Sequence, residues 1–175
     1  MLRKFGIIAV LSLIIAAAAA VPALAVGPTE TTRSGGLHFV GDPDATKNVV
    51  TDAEGNLVSA SLTATGEVAG AGTGGTAILS STAVVTQGCV TRGGGTPSGL
   101  EESTTTVTGS EPFTTDHGRG TFTVTTDPIT APSGGFDCPS AQQTEVLVGV
   151  TFTDVVLTIE AQTGTITATF PDIDP

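Results

Sequence analysis

Residues 144–170 read TEVLVGVTFTDVVLTIEAQTGTITATF, the longest β-type alternation in the chain. Side chains alternate between faces along a strand, so Val146, Val148, Val150 and Phe152 are expected on one face, with Glu145, Gly149, Thr151 and Thr153 on the other. After Asp154 the parity changes, and the apolar set becomes Val155, Leu157 and Ile159. An extra residue near Thr153 and Asp154, as a β-bulge or a bend, re-aims the chain there. Gln162-Thr163-Gly164 reads as the turn of a closing hairpin whose second arm carries Ile166, Ala168 and Phe170 on its apolar face.

The same reading applied upstream predicts a short strand at 37–41, a turn at Asp42-Pro43-Asp44, and a hairpin with arms 45–51 and 57–68. In the second arm Val58, Ala60, Leu62, Ala64 and Val68 share a parity and form its dry face. Alternation resumes over 76–90, where Ala77, Leu79, Ala83, Val85 and Cys89 point the same way. Residues 91–102, with three consecutive glycines, a proline and paired glutamates, are expected to be loop. Two more short strands follow at 104–110 and 120–126, separated by a polar loop at 111–119; the longest loop is 127–143.

Eight or nine short strands with no amphipathic helix predict an all-β fold, an antiparallel β-sandwich of immunoglobulin-like or jelly-roll type. Threonine, present 32 times, supports strand over disorder because it alternates with Val, Leu, Ile and Ala instead of forming polar runs. With no Trp in the chain, the buried Trp of antibody domains has no counterpart, and the likeness is one of shape.

The first residues have the parts of an export leader: Arg3 and Lys4, an apolar run over 5–20, and Ala23-Leu24-Ala25 as a small-residue cleavage pattern. This places a signal-peptide helix in 1–25, cleaved between Ala25 and Val26; the alternative is an uncleaved anchor. A flexible tail over 26–36, a single domain over 37–171 and a C-terminal tail over 172–175 complete the division. The expected location is secreted, with no membrane span after cleavage.

Loss of Arg3 and Lys4 leaves 4 basic residues against 17 acidic ones, a formal charge of −13. Such a surface suits neither nucleic acid nor anionic membrane. In an oxidising compartment Cys89 and Cys138 are expected to pair, closing a loop of 50 residues counted with both ends; two free thiols are the alternative.

Candidate chemistry is sparse. Asp116, His117 and Arg119 form the one cluster that hints at it, but the tract has the composition of a polar turn, and no nucleophile elbow accompanies it. Glu101 and Glu102 are paired carboxylates, yet neighbours on a strand face opposite ways. Asp52 and Glu54, together with Asp42 and Asp44 if the hairpin brings them close, offer a calcium alternative to a turn of solvated acids. His38 is expected to face solvent. No catalytic, cofactor-binding or metal-binding residues are assigned, no cofactor is expected, and the chain is read as not an enzyme.

The leader, the opening strand GLHFVGDPDAT, the segment LTATGEVAGAG, the single Cys pair and the closing TFTDVVLTIEAQTGTITATF together resemble small exported bacterial β-sandwich proteins of unknown function. The resemblance implies the fold and export but no activity and no site residues. The function expected is that of a non-enzymatic structural, cell-envelope or protein-binding module, its partner and oligomeric state open. A self-assembling surface or filament subunit and a carbohydrate-binding module are the alternatives.

Overall fold

The computed structural model of the chain describes residues 24–91, 95–131 and 137–174. The leader helix expected over 1–25 lies outside the described residues, apart from its last two positions. Eleven strands are described: Ala25–Val26 (β1), Glu30–Thr31 (β2), His38–Phe39 (β3), Asp44–Thr51 (β4), Leu57–Ala69 (β5), Gly74–Thr91 (β6), Ser98–Thr114 (β7), Arg119–Thr125 (β8), Ile129–Thr130 (β9), Gln143–Ala161 (β10) and Gly164–Thr169 (β11). The fold is all-β, and every strand pairing is antiparallel. The strands form one connected sheet, curled as a half-barrel.

β5 carries β4 on one side and β8 and β9 on the other, while β10 carries β6 along its length and β11 at its C-terminal half. These two groups meet edge to edge at a single pair, Leu147 of β10 with Leu57 of β5. Curling encloses the apolar parity of the long strands, except in the N-terminal half of β7. Leu62, Leu79, Val85, Val124, Val150, Phe152, Leu157, Ile159 and Ile166 have at most 1% of their surface exposed. Many of their neighbours are alanines, among them Ala45, Ala60, Ala64, Ala77, Ala83 and Ala168, which allow the facing walls to approach closely. At one end Phe122 of β8 packs against Phe39 of β3 and Phe113 of β7, with ring centroids 6.4 and 6.3 Å apart.

The bulge expected at Thr153 and Asp154 is present. The β6–β10 register shifts between Thr153 and Val156, and Asp154 takes a φ of 51°. A second shift lies between Leu147 and Gly149 and corrects the facing assigned to the start of this strand. With Val148 as the extra residue, Leu147 points inward and Val148 is 40% exposed; the inward parity resumes at Val150. Val58 is corrected for the same reason. A shift opposite Val50 and Thr51 makes Val58 the odd residue of the β4–β5 hairpin, and it is 44% exposed.

Three expected loops are partly strand. β6 runs to Thr91 and β7 begins at Ser98, which replaces half of the loop expected over 91–102. β7 continues through Glu111, Pro112 and Phe113 to Thr114, so only a tight turn is left before β8. The loop over 127–143 contains β9, which pairs with Ser59 and Ala60. Both expected tails are held as well. Val26 of β1 pairs with Ala45, Thr31 of β2 pairs with Ala168, and Ile173 exchanges backbone hydrogen bonds of 2.8 and 3.1 Å with Phe152.

β8 also comes against β7, and Gly109 permits the approach: a Cβ there would lie 2.0 Å from Thr125 O. Gly109→Ala is expected to cost about 1–3 kcal/mol, because two backbones must separate. Gly149→Ala, where nothing lies within 4 Å of an added Cβ, is expected to stay within about 0.5 kcal/mol. Urea unfolding of the two variants checks the contrast.

Candidate functional site

β7 is bonded to β6 with unbroken register from Thr114 opposite Gly74 to Glu101 opposite Gln87. Two hydrogen bonds show which way its backbone groups point. Just past its end, Thr115 N–H donates to Thr73 O at 3.3 Å, on the β6 side. On the opposite side Thr108 O accepts from Asp127 N–H at 3.1 Å. Backbone groups alternate sides along a strand, so from Glu101 to Phe113, where the register is unbroken, odd-numbered residues of β7 bond to β6 and even-numbered ones turn outward. Pro112 occupies an even position, where its missing N–H costs no bond to β6.

The N-terminal half of β7 is thereby an open edge. Among the described residues, the outward N–H and C=O groups of Glu102, Thr104 and Thr106 have no backbone partner. Both faces are open too. Residues 98–106 are all exposed, although Ala83, Val85 and Gln87, which they pair with, are buried. Glu101 opposes Gln87 and Glu102 opposes Thr86, so the two carboxylates lie on opposite faces as expected.

Beneath this shelf the inner face becomes polar. Gln87, 2% exposed, occupies the core parity of β6 and donates from Nε2 to Glu145 Oε1 at 2.5 Å. The Cys89–Cys138 disulfide closes the same end, with an S–S distance of 2.09 Å and Cα atoms 5.8 Å apart, and ties the loop after β9 to the end of β6. A bonded pair is compatible with an oxidising compartment. Ser81, also buried at core parity, donates to Thr153 O at 2.8 Å where β10 bulges.

Lys47 is the one buried cation among the described residues. It is 5% exposed on the inner face of β4, and its Nζ donates to Val150 O across the gap between β4 and β10. It borders an open cleft of about 330 Å³ walled by Val49, Leu57, Pro97 and Val146. Burial lowers its pKa from the ordinary 10.5, and the nearby Asp174 carboxylate pulls it partly back. The folded chain therefore releases this proton at lower pH than the unfolded chain. Between the lowered pKa and 10.5 the unfolded state binds more protons, so stability rises with pH. Lys47 is the sole lysine after Lys4 and tyrosine is absent, which leaves few other groups to titrate there. Urea midpoints are expected to climb through this window in the native chain and stay flatter in Lys47→Met.

The remaining candidates are dispersed. Asp116 pairs with Arg119 across a two-residue turn in which His117 and Gly118 have φ of 50° and 79°. His117 Nδ1 and Asp116 Oδ1 are 2.7 Å apart, with both side chains more than 90% exposed, and Arg119 donates to Glu67 Oε1 at 3.2 Å. The tract is a hairpin turn. Asp52 accepts hydrogen bonds from the Asn56 side chain and from the backbone N–H groups of Asn56 and Glu54. The Asn56 side-chain amide contributes most to holding its carboxyl below the ordinary value. Asp44 pairs with Thr65 at the far end of the β4–β5 hairpin from Asp52, so the four acids are not brought together. Among the described residues no group of three or more metal-ligating side chains is assembled. His38 is partly buried, with Nδ1 2.8 Å from Gly36 O. The five described phenylalanines, Phe39, Phe113, Phe122, Phe152 and Phe170, are all buried, which leaves no exposed aromatic ring among these residues for stacking on a sugar. Ala25 is exposed and Val26 half-buried, and β1 spans the expected cleavage point.

Sequence reasoning missed Lys47, Ser81 and Gln87. Each stands at the apolar parity of its strand, between Ala45 and Val49 or among Ala77, Leu79, Ala83 and Val85, and that placement was the available signal. Comparison with protein-family models, curated proteins and solved structures gives no match.

Proposed function

We propose that this chain is an exported, non-enzymatic β module that serves as a structural or cell-envelope component by binding protein through its sheet. The observation that carries the reading is the shelf at residues 98–106, a strand exposed on both faces and paired on one edge. Peptide recognition by strand addition uses an edge of this kind: backbone hydrogen bonds supply affinity and alternate side chains supply specificity. Export is supported by the leader pattern with its Ala25/Val26 junction and by the Cys89–Cys138 bridge. In this reading the curled sheet is a sandwich of immunoglobulin-like shape, with the β4–β5–β8 group as one layer and the β11–β10–β6–β7 group as the other.

A photo-crosslinking residue placed at Leu100, 61% exposed on the shelf, tests the reading in living cells. A discrete crosslinked protein band from the exported fraction is the expected result. An exported chain that yields no protein adduct at Leu100 would overturn it.

A further inference from the structure

We propose that the open edge of β7 is a self-association site that takes the same edge of a second copy of this chain, antiparallel and centred on Thr104. The inference rests on the reading that the module works through protein contacts, and it names the partner. Within β7 the run 103–108, Ser-Thr-Thr-Thr-Val-Thr, has no charge, proline or glycine and high strand propensity. Proteins usually guard such an edge with charge, proline or a bulge. Here the guards stand at the margins: Gly99 with φ of 64°, Glu101 and Glu102 on one side, the Asp127 contact and Pro112 on the other. Between them the outward groups of Glu102, Thr104 and Thr106 are open.

The open backbone groups and side-chain chemistry together select the register, since only pairing about Thr104 matches Glu102, Thr104 and Thr106 among themselves. Pairing about Thr104 sets Thr104 opposite Thr104, Glu102 opposite Thr106, Ser103 opposite Thr105 and Glu101 opposite Val107. No carboxylate then faces another, and the central pair is of the Thr–Thr type that stabilises neighbouring strands. Residues 102, 104 and 106 are the ones with outward backbone groups, so the pairs 104/104 and 102/106 are hydrogen-bonded, giving about six backbone bonds across the twofold axis. Pairing about Glu102 would set Glu102 against Glu102 and is disfavoured. The formal charge of −13 on each processed chain opposes association at long range, so added salt is expected to strengthen the dimer.

Sedimentation velocity of the oxidised, processed chain tests this over a wide concentration range at about 10 and 500 mM salt. A monomer–dimer equilibrium that tightens with salt is expected. Thr104→Pro removes an outward N–H that bonds nothing within the chain, as Pro112 already does, and is expected to weaken the dimer at least about tenfold with little change in thermal midpoint. Thr104→Asp, which leaves the backbone untouched and sets like charges on the twofold axis, is expected to do the same. Thr105→Pro, which removes an N–H bonded to β6, is expected to lower the thermal midpoint instead. A chain monomeric at every concentration and salt, or a dimer indifferent to both Thr104 variants, would overturn the proposal. Either outcome leaves the crosslinking test of a protein partner standing, and a Leu100 adduct made only with a different protein would overturn self-pairing while supporting the wider reading.

Discussion

Phe152→Ala is expected to destabilise the chain by about 3–5 kcal/mol, the largest loss from any single side chain. Phe152 is fully buried on β10 between the two bulges. Its cross-strand partner on β6 is Ala83, and on the other side it exchanges hydrogen bonds with Ile173. The vacated volume would be flanked by Ala83 on one edge and Ile173 on the other, both held by backbone pairing, so little could move in to fill it. Against a total stability of about 5–15 kcal/mol for a domain, such a loss leaves a sizeable unfolded population. Urea unfolding checks it; a loss below about 1 kcal/mol would mean that the walls collapse around the site.

Removing the disulfide is expected to be the second largest effect. Cys89 and Cys138 are 49 positions apart, and cross-linking a loop of that length constrains the unfolded chain by roughly 4 kcal/mol at most. A Cys89→Ser, Cys138→Ser double variant is expected to lose about 2–4 kcal/mol. For a chain of this size that corresponds to a fall in thermal midpoint on the order of 5–15 °C, read by calorimetry. The loss comes from the unfolded state and from release of the loop after β9, while the core strands of β5 and β10 keep their pairing. An unchanged midpoint would show that backbone contacts alone hold the loop in place.

Parts of this fold were legible in the sequence because burial leaves a period-2 signature wherever one face is dry. The bulge at Asp154 could be read because the apolar parity changes between Phe152 and Val155, with a polar pair between them. The bulge at Val148 could not, because Leu147 and Val148 are adjacent and apolar, and either parity satisfies the pattern. Cys89 was placed correctly through Ala83 and Val85, which share its facing. β1, β2 and the Ile173 bridge left no signature, since two residues make no period and their partners lie far away in the chain.

The candidate site was the least legible part, for a physical reason. An edge strand exposed on both faces has no buried side to impose alternation, so Ser98-Gly99-Leu100-Glu101-Glu102 has the composition of a loop. Its strand character comes from β6, which holds it by backbone bonds that do not depend on side-chain type. Pro112 misled for the same reason. A proline argues against a central strand but not against the outward-turned position it occupies on β7.

Amide hydrogen exchange along β7, followed by NMR on dilute protein, tests most directly the claim that one edge of this strand is closed and the other open. Ser103 and Thr105 are expected to be protected and Glu102, Thr104 and Thr106 to exchange freely, a two-residue alternation across a single strand. Equal protection at neighbouring positions, or protection confined to the even-numbered residues, would contradict the account.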